Sequence, residues 1–197
     1  ERQIAKYKTS ILEQVSSAYR KERPALAEEI NAIDIYTPEL YVGERMTLYL
    51  GDREVQVLAL PGHTPASLGV YLPRERILFA GDNIVNNEHP TMVHGNSLEW
   101  IDTLRRIEGL DVDVLVPGAG APCGKEVIPP LIEYIIEMRR RVTELFDAGA
   151  SRRETVDKAG MLDYYPVPEN QAARIKRRRR ENIERVYTEI RSAQRRR

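Results

Sequence analysis

The chain has 197 residues, 42% of them hydrophobic and 30% charged, which is enough apolar sequence for one ordinary domain plus a helical appendage. No apolar run approaches the roughly 20 residues that span a bilayer, which excludes a transmembrane helix, and the single cysteine excludes an internal disulfide and indicates a reducing, cytoplasmic compartment. The formal net charge is zero, yet residues 171–197 hold 11 Lys/Arg against three Glu, so this tail carries +8 and the remainder −8.

The first predicted elements are helical. Apolar residues recur at helical spacing from Gln3 to about Arg23, which predicts an amphipathic helix. Its apolar face consists of Ile4, Tyr7, Ile11, Val15 and Tyr19. Pro24 ends or restarts this helix, and Ala25 to Ile30 predict a second, short one. We therefore interpret residues 1–37 as a helical segment.

Runs of β-branched and aromatic residues separated by tight turns predict an antiparallel region after Pro38. The predicted strands are Met46 to Leu50, Glu54 to Leu60, Leu68 to Leu72, Ile77 to Ala80 and, farther on, Asp113 to Val116. The first four strands form two hairpins, with turns at residues 51–53 and 73–76.

Four helices are predicted downstream of the hairpins. Ser97 is predicted to be the N-cap of the first helix. The second helix is predicted to run from Val127 to Ala148 and to be closed by Gly149. Ser151 and Glu154 predict a capping box at the start of the third helix. The fourth begins near Glu169. The predicted buried residues are Trp100, Ile101, Leu104 and Ile107 in the first helix, Leu131, Ile135, Met138, Val142 and Leu145 in the second, and Ile175, Ile183, Val186, Tyr187 and Ile190 in the last.

The second hairpin brings a histidine and an aspartate to one end of the sheet. If its turn centres between Arg74 and Glu75, antiparallel pairing sets Asp82 opposite Ser67, beside the loop that carries His63. An imidazole and a carboxylate on neighbouring strand ends are suitable ligands for Zn, Mn or Fe. Taken alone, this pair is a weak signal, because a histidine and an aspartate lie near one another in many folds.

Three sequence motifs surround this pair: Pro-Gly-His-Thr-Pro-Ala-Ser at 61–67, Ile-Leu-Phe-Ala-Gly-Asp at 77–82 and Leu-Val-Pro-Gly-Ala-Gly at 115–120. In this order and spacing they resemble the second half of the metallo-β-lactamase superfamily, over about residues 46–134. The resemblance implies an αββα sandwich with a dinuclear metal centre, commonly zinc, at its edge. It also implies that His63 is the third histidine ligand of one metal ion, and that Asp82 is the catalytic carboxylate that bridges both ions.

Two departures from the family pattern reduce the ligand set. The position of the family's last histidine is Ala119, whose methyl group cannot bind a metal. The family's His-x-His-x-Asp-His signature is absent, and residues 1–38 contain no histidine. Three interpretations stay open: a C-terminal fragment, a degenerate relative without metal, or a deliberate replacement at Ala119. We favour the fragment, because the chain begins at Glu1 without a methionine.

His89, His94 and Asn83 are further candidates for substrate contact, since they follow Asp82 in a loop expected to overhang the site. The histidines are explained more simply as ordinary surface residues, and Asn83 as a polar turn residue. Lys125 and a helix start beside Cys123 are features that can lower the pKa of a thiol, but no base is paired with Cys123, so we do not expect it to be a nucleophile.

The arginine-rich end, residues 176–180 and 195–197, admits a nucleic-acid interpretation. The same helix, however, has an apolar face and carries Glu181, Glu184 and Glu189 at spacings that allow intrahelical ion pairs. It also lacks the aromatic platforms of single-strand binders. We therefore expect a helix docked on the acidic remainder of the chain.

The expected fold class is α/β (α+β), with the C-terminal half of a metallo-β-lactamase-like αββα sandwich at residues 38–149 and a helical extension at 150–197. The expected function of the intact protein is metal-dependent hydrolysis of a small ester-like or thioester-like substrate. We expect the chain alone to be inactive, because two ligands are too few for a catalytic zinc. The alternative is a non-catalytic interaction module. Half a sandwich exposes one sheet face, so a missing N-terminal half or a homo-oligomer is the expected partner, with no membrane partner.

Overall fold

The computed structural model describes residues 12–13, 15–17, 19–33, 38–161, 164–165 and 167–195, and the chain divides into two compact units, Glu1–Tyr41 and Val42–Arg197. In the first unit, helix α1 spans Pro24–Asn31, with proline in its first turn, where no intrahelical N–H is needed. This confirms the short predicted helix. Within the longer helix predicted upstream, residues 12–13, 15–17 and 19 are helical. The rest of its apolar face, including Ile4, Tyr7 and Ile11, lies outside the described residues.

The second unit is built on one five-stranded sheet among the described residues, in the order β1-β2-β3-β4-β5. The strands are β1 (Arg45–Leu50), β2 (Arg53–Ala59), β3 (Leu68–Leu72), β4 (Ile77–Val85) and β5 (Val114–Ala119). The first four are antiparallel and form the two predicted hairpins, whereas β5 returns parallel to β4 after a helical crossover. All five predicted strands are therefore present.

Strand β4 is longer than the sequence indicates. The prediction ended it at Ala80, but pairing with β5 carries it to Val85, past a register shift at Gly81. Gly81 has φ of +55°, a left-handed conformation that favours glycine and bends the strand. Asp82 consequently lies inside an irregular part of β4 and not at its end.

Helices cover one face of the sheet. They are α2 (Ser97–Glu108), α3 (Ile128–Asp147), α4 (Arg152–Lys158) and α5 (Ala172–Gln194), with single 3₁₀ turns at Lys125–Val127 and Glu169–Gln171. Tyr71, Leu78 and Leu115, which pair across three neighbouring strands, are buried in one core with the apolar stripes of these helices. The predicted helical stripes are buried as expected, except that Leu145 is only partly buried.

The helix ends test the local predictions. The capping box of Ser151 and Glu154 is present, and Gly149 has φ of +81° after α3, as a helix-closing glycine should. Ser97 was predicted as the cap of α2, and this is wrong. Asn96 caps the helix by accepting from the backbone N–H groups of Leu98 and Glu99.

The other face of the sheet is apolar and accessible. One row crosses all five strands through Met46, Val57, Val70, Phe79 and Val116. None of these side chains is fully buried, and Phe79 is 44% exposed. We call this row, with its exposed neighbours Leu48, Leu68 and Val114, the outer sheet face. Within the described residues no helix is both long and apolar enough to cross a membrane.

Candidate metal centre

The loop between β2 and β3 presents His63 at the sheet edge. The loop is closed by the Leu60 N–H, which donates to the Ser67 carbonyl at 2.9 Å, and by the Thr64 N–H, which donates to the Ser67 hydroxyl at 3.0 Å. Gly62 lies against helix α2, and a Cβ there would be 2.8 Å from the Trp100 Cα. Only glycine fits, because the obstructing atom belongs to backbone.

Three contacts fix the orientation of the His63 ring. Its backbone N–H donates to Asn83 Oδ1 at 3.0 Å, and the ring packs edge-on against Trp100 with 5.5 Å between centroids. Its Nδ1 lies 2.8 Å from the carbonyl oxygen of Thr91. A carbonyl can only accept, so Nδ1 carries a proton, and in the neutral form of the ring the lone pair is therefore on Nε2.

That lone pair faces Asp82. His63 Nε2 and Asp82 Oδ2 are 3.5 Å apart, and the Asp82 side chain is about half exposed. Two ligands that bind one tetrahedral ion at 2.0–2.2 Å lie about 3.3–3.5 Å from each other. The separation of His63 Nε2 from Asp82 Oδ2 is thus compatible with two ligands of one metal ion, and a protonated His63 would make the same contact an ion pair.

Strand β5 completes the wall behind Asp82. A Cβ at Gly118 would collide with the Asp82 carboxylate, so glycine is required for the close approach of the two strands. The next residue, Ala119, lies on the wall of the same cleft, which has a volume of about 330 Å³. The cleft is lined by His63, Asp82, Val85, Glu88, His89, Thr91, Gly118, Ala119, Arg174 and Arg178.

Two other residues predicted from the sequence to contact substrate, Asn83 and His94, do not line the cleft. Asn83 is buried beneath the loop, where its amide donates to the Leu60 carbonyl at 2.7 Å and its backbone carbonyl accepts from the Trp100 indole at 3.0 Å. It therefore supports His63 from below and does not line the cleft. His94 is exposed and also lies outside the cleft lining.

His89 lines the cleft but is buried, with 3% of its surface exposed. Its ring packs between Tyr134 and Tyr165, at centroid distances of 6.3 and 5.3 Å. Burial lowers the pKa of His89 below its ordinary value; a backbone group of Tyr165 partly opposes this shift, and the Arg178 guanidinium adds to it. His89 is thus a neutral side chain at ordinary pH, and not the surface residue that the simpler interpretation of the sequence favoured.

The described residues fit half of a metal site. No group of three or more His, Cys, Asp or Glu side chains among them is arranged to hold one ion. His63 and Asp82 supply two ligands, whereas a catalytic zinc usually has three from protein. The donor types and spacing suit a metal, and the number of ligands does not suffice.

Cys123 is not an activated thiol. Lys125 does not lower the pKa of this thiol, the possibility that its neighbouring position in the sequence had raised. Burial raises the pKa of Cys123, and the Glu126 carboxylate raises it further. The Lys125 ammonium is instead bound to the carbonyl oxygens of Glu108 and Leu110.

Sequence reasoning missed the residues that reach this site from elsewhere. Thr91 contributes only a carbonyl, which no side-chain pattern reveals. Arg174 and Arg178 come from α5 and line the cleft about 90 residues after Asp82. The signal available for them was their position in the arginine-rich helix, which was expected to dock on the acidic remainder of the chain but not at the metal site.

Comparisons with known proteins agree with this mixed α/β fold. The family model described as the metallo-beta-lactamase superfamily matches residues 5–119, more than half of the chain. The chain belongs to the metallo-beta-lactamase superfamily.

Its curated relatives are distant. A beta-lactamase-like protein 2 homolog of Caenorhabditis elegans is 29% identical over 105 residues, which cover 53% of this chain and 35% of the relative. A hydroxyacylglutathione hydrolase of Rhodospirillum rubrum is 26% identical over 121 residues, which cover 58% of this chain and 44% of the hydrolase. The chain thus spans less than half the length of these relatives.

The fold has solved counterparts. A metallo-beta-lactamase family protein from Thermus thermophilus superposes with a TM-score of 0.59 at 16% identity, over 88% of this chain and 54% of that one. An inverting sec-alkylsulfatase from Pseudomonas sp. superposes with a TM-score of 0.55 at 16% identity, over 78% of this chain and 26% of the sulfatase. At these identities the likeness concerns the fold alone, and it confirms the metallo-β-lactamase-like fold class.

Proposed function

We propose that this chain contributes His63 and Asp82 to the metal centre of a hydrolase that acts on a small ester-like or thioester-like substrate. The observation that carries the proposal is the pairing of a free Nε2 lone pair with a carboxylate oxygen at 3.5 Å. A metal ion such as zinc, held there with the further ligands of the intact protein, would lower the pKa of a water molecule and so supply hydroxide near neutral pH.

The chain's own residues have distinct roles in this proposal. His63 presents a pre-oriented nitrogen, and Asp82 holds negative charge at the position where a cation must sit. Arg174 and Arg178 both line the same cleft, and because Arg178 pairs with Glu88 at 3.9 Å, Arg174 is the cation that favours a substrate with an anionic group. The hydroxyacylglutathione hydrolases among the relatives support an acylated small thiol as that substrate.

The remaining ligands belong, in this proposal, to residues beyond those described. The accessible apolar outer sheet face supports this, because it suits burial against a second layer of the intact protein or a second copy. Accordingly we expect the 197-residue chain by itself to hold metal weakly and to hydrolyse no ester or thioester.

Restoring a ligand tests the proposal directly. Ala119→His adds an imidazole to the wall of the cleft that holds His63 and Asp82. Isothermal titration with Zn²⁺ is expected to give an affinity at least about 100-fold higher than for the unaltered chain, as a third ligand completes a minimal site. Ala121→His is the matched control, since it adds the same group two residues away, outside the cleft lining.

The proposal fails if both histidine variants bind Zn²⁺ equally, or if Ala119→His loses nothing when His63→Ala is added. Such results would favour the alternative, a non-catalytic module of the same fold. Nucleic-acid binding by that module has little support, because Arg178, Arg179 and Arg185 all donate to backbone carbonyls of their own chain. An affinity for RNA or DNA that falls steeply as the salt concentration rises would support nucleic-acid binding after all.

A further inference from the structure

The loop between β4 and α2, residues 86–96, has no regular secondary structure and supplies the carbonyl that orients His63. A loop of this kind is placed by the partners of its backbone groups. Among the described residues, several of those partners lie on one element, the C-terminal helix α5. Arg178 donates to the His89 carbonyl at 2.6 Å, and Arg185 donates to the Gly95 carbonyl at 2.7 Å.

Asn182 lies between these two arginines and makes the central contact. Its Nδ2 donates to the Pro90 carbonyl at 2.8 Å, and its Oδ1 accepts from the Met92 N–H at 2.8 Å. The side chain is fully buried, so water does not compete for either bond. These two bonds bracket Thr91 on both sides and fix the peptide planes that direct its carbonyl.

We propose that Asn182 is a positioning residue for the metal centre, acting through Thr91 on the tautomer and orientation of His63. With the Thr91 carbonyl in place, the His63 proton sits on Nδ1 and the Nε2 lone pair points to Asp82. Without it, the ring loses this restraint, and the proton moves to Nε2, which is the preferred site in a free imidazole side chain. The tautomer that suits a metal ligand is therefore set by a residue 119 positions later in the chain.

The role in metal binding rests on the proposed function, but the tautomer can be measured without metal. Long-range ¹H–¹⁵N correlation spectra at alkaline pH report which ring nitrogen carries the proton, and the chain has three histidines to assign. Asn182→Asp retains an acceptor for the Met92 N–H and, with its carboxyl ionised at the alkaline pH of the measurement, replaces the donor to Pro90 with a repelling oxygen. We expect His63 to change from the Nδ1–H form to a mixture dominated by the Nε2–H form.

Ile183→Ala is the matched control, since it weakens the packing of the same helix at a fully buried side chain without removing a bond to the loop. It is expected to leave the His63 tautomer unchanged. If Asn182→Asp does not fold, Asn182→Ser tests the same bonds, because its shorter side chain cannot reach both partners.

A second measurement separates this inference from the proposed function. In the Ala119→His background, Asn182→Asp is expected to lower the Zn²⁺ affinity about 10- to 100-fold, the usual effect of losing a group that orients a ligand. An unchanged His63 tautomer in the Asn182 variants, or an equal change in Ile183→Ala, overturns the inference. A changed tautomer in a chain that binds no Zn²⁺ in any background supports the positioning role and refutes the proposed metal site.

Discussion

Gly62 shows how closely the site depends on single atoms. It separates the His63 loop from helix α2, and an added Cβ would lie 2.8 Å from the Trp100 Cα and 3.0 Å from Asn83 Oδ1. Neither neighbour can move freely, because the first is backbone and the second already accepts from the His63 N–H.

Gly62→Ala is therefore expected to lower the free energy of unfolding by about 1–3 kcal/mol, the usual range for overpacking a filled site. Urea denaturation followed by circular dichroism measures this loss. Gly43→Ala is the control, since a Cβ at that loop position meets no atom within 4 Å, and its effect should stay within about 0.5 kcal/mol. Equal stabilities for the two variants would contradict the steric argument.

At this scale the sequence revealed the chemistry of the pair but not its surroundings. The hairpin register correctly brought Asp82 beside the His63 loop, because antiparallel pairing follows from the turn. The burial of Asn83 and the contact between His63 and Thr91 were not predicted. Both depend on groups that meet only after distant parts of the chain have packed together.

At the scale of elements, helix α5 is attached to the domain by a partly buried polar network as well as by its apolar face. Glu189 accepts from the Ser97 N–H at 3.2 Å and from its hydroxyl, and it pairs with Arg139 of α3 at 3.1 Å. This explains why Ser97 does not cap α2: its side chain is engaged by a residue of another helix.

Glu189→Ala removes the carboxylate that accepts from Ser97 and pairs with Arg139, so that these two residues keep only the bond from Arg139 to the Ser97 hydroxyl. We expect a loss of about 1.5–3 kcal/mol in the free energy of unfolding, the magnitude of hydrogen bonds to a charged group. Glu181→Ala is the matched control on the same helix, since its pair with Arg177 is exposed and contributes less than about 0.5 kcal/mol. Thermal or urea unfolding measures the stability of both variants. Equal losses for Glu189→Ala and Glu181→Ala would contradict a stabilising network at Glu189.

Local signals predicted elements well, and contacts between elements poorly. The capping box at Ser151 and the closing glycine at Gly149 were found because their partners lie within four residues. The end of β4 was misplaced because its last residues are paired by β5, a strand more than 30 residues farther along. Pairing with a strand so far along the chain cannot be predicted from the residues near the end of β4.

At the scale of the whole molecule, the sheet is apolar on both faces, and the described helices of the second unit cover one of them. The outer sheet face presents Phe79 at its centre with 44% of its surface exposed. An accessible row of this kind in water favours association with another apolar surface. We therefore expect the 197-residue chain to self-associate at micromolar concentrations.

Phe79→Glu is expected to weaken this association about tenfold or more, since a carboxylate buried against another sheet lacks a partner. Analytical ultracentrifugation over a concentration series measures the effect. Leu98→Glu provides the control, because Leu98 is also exposed but lies on helix α2, away from this face. A chain that stays monomeric throughout, or two variants with equal effects, would rule out the outer sheet face as the contact.

The attachment of α5 to the loop at residues 86–96 also has a consequence for the order of assembly. The bonds from Asn182 and Arg185 join groups about 90 residues apart along the chain. A ribosome adding about 5–20 residues per second needs roughly 5–20 s to pass from Asp82 to these residues. During that interval the nascent chain contains His63 and Asp82 but lacks the helix that orders their loop. The loop that orients His63 therefore gains its contacts from α5 only after that helix has been synthesised, well after His63 and Asp82 themselves.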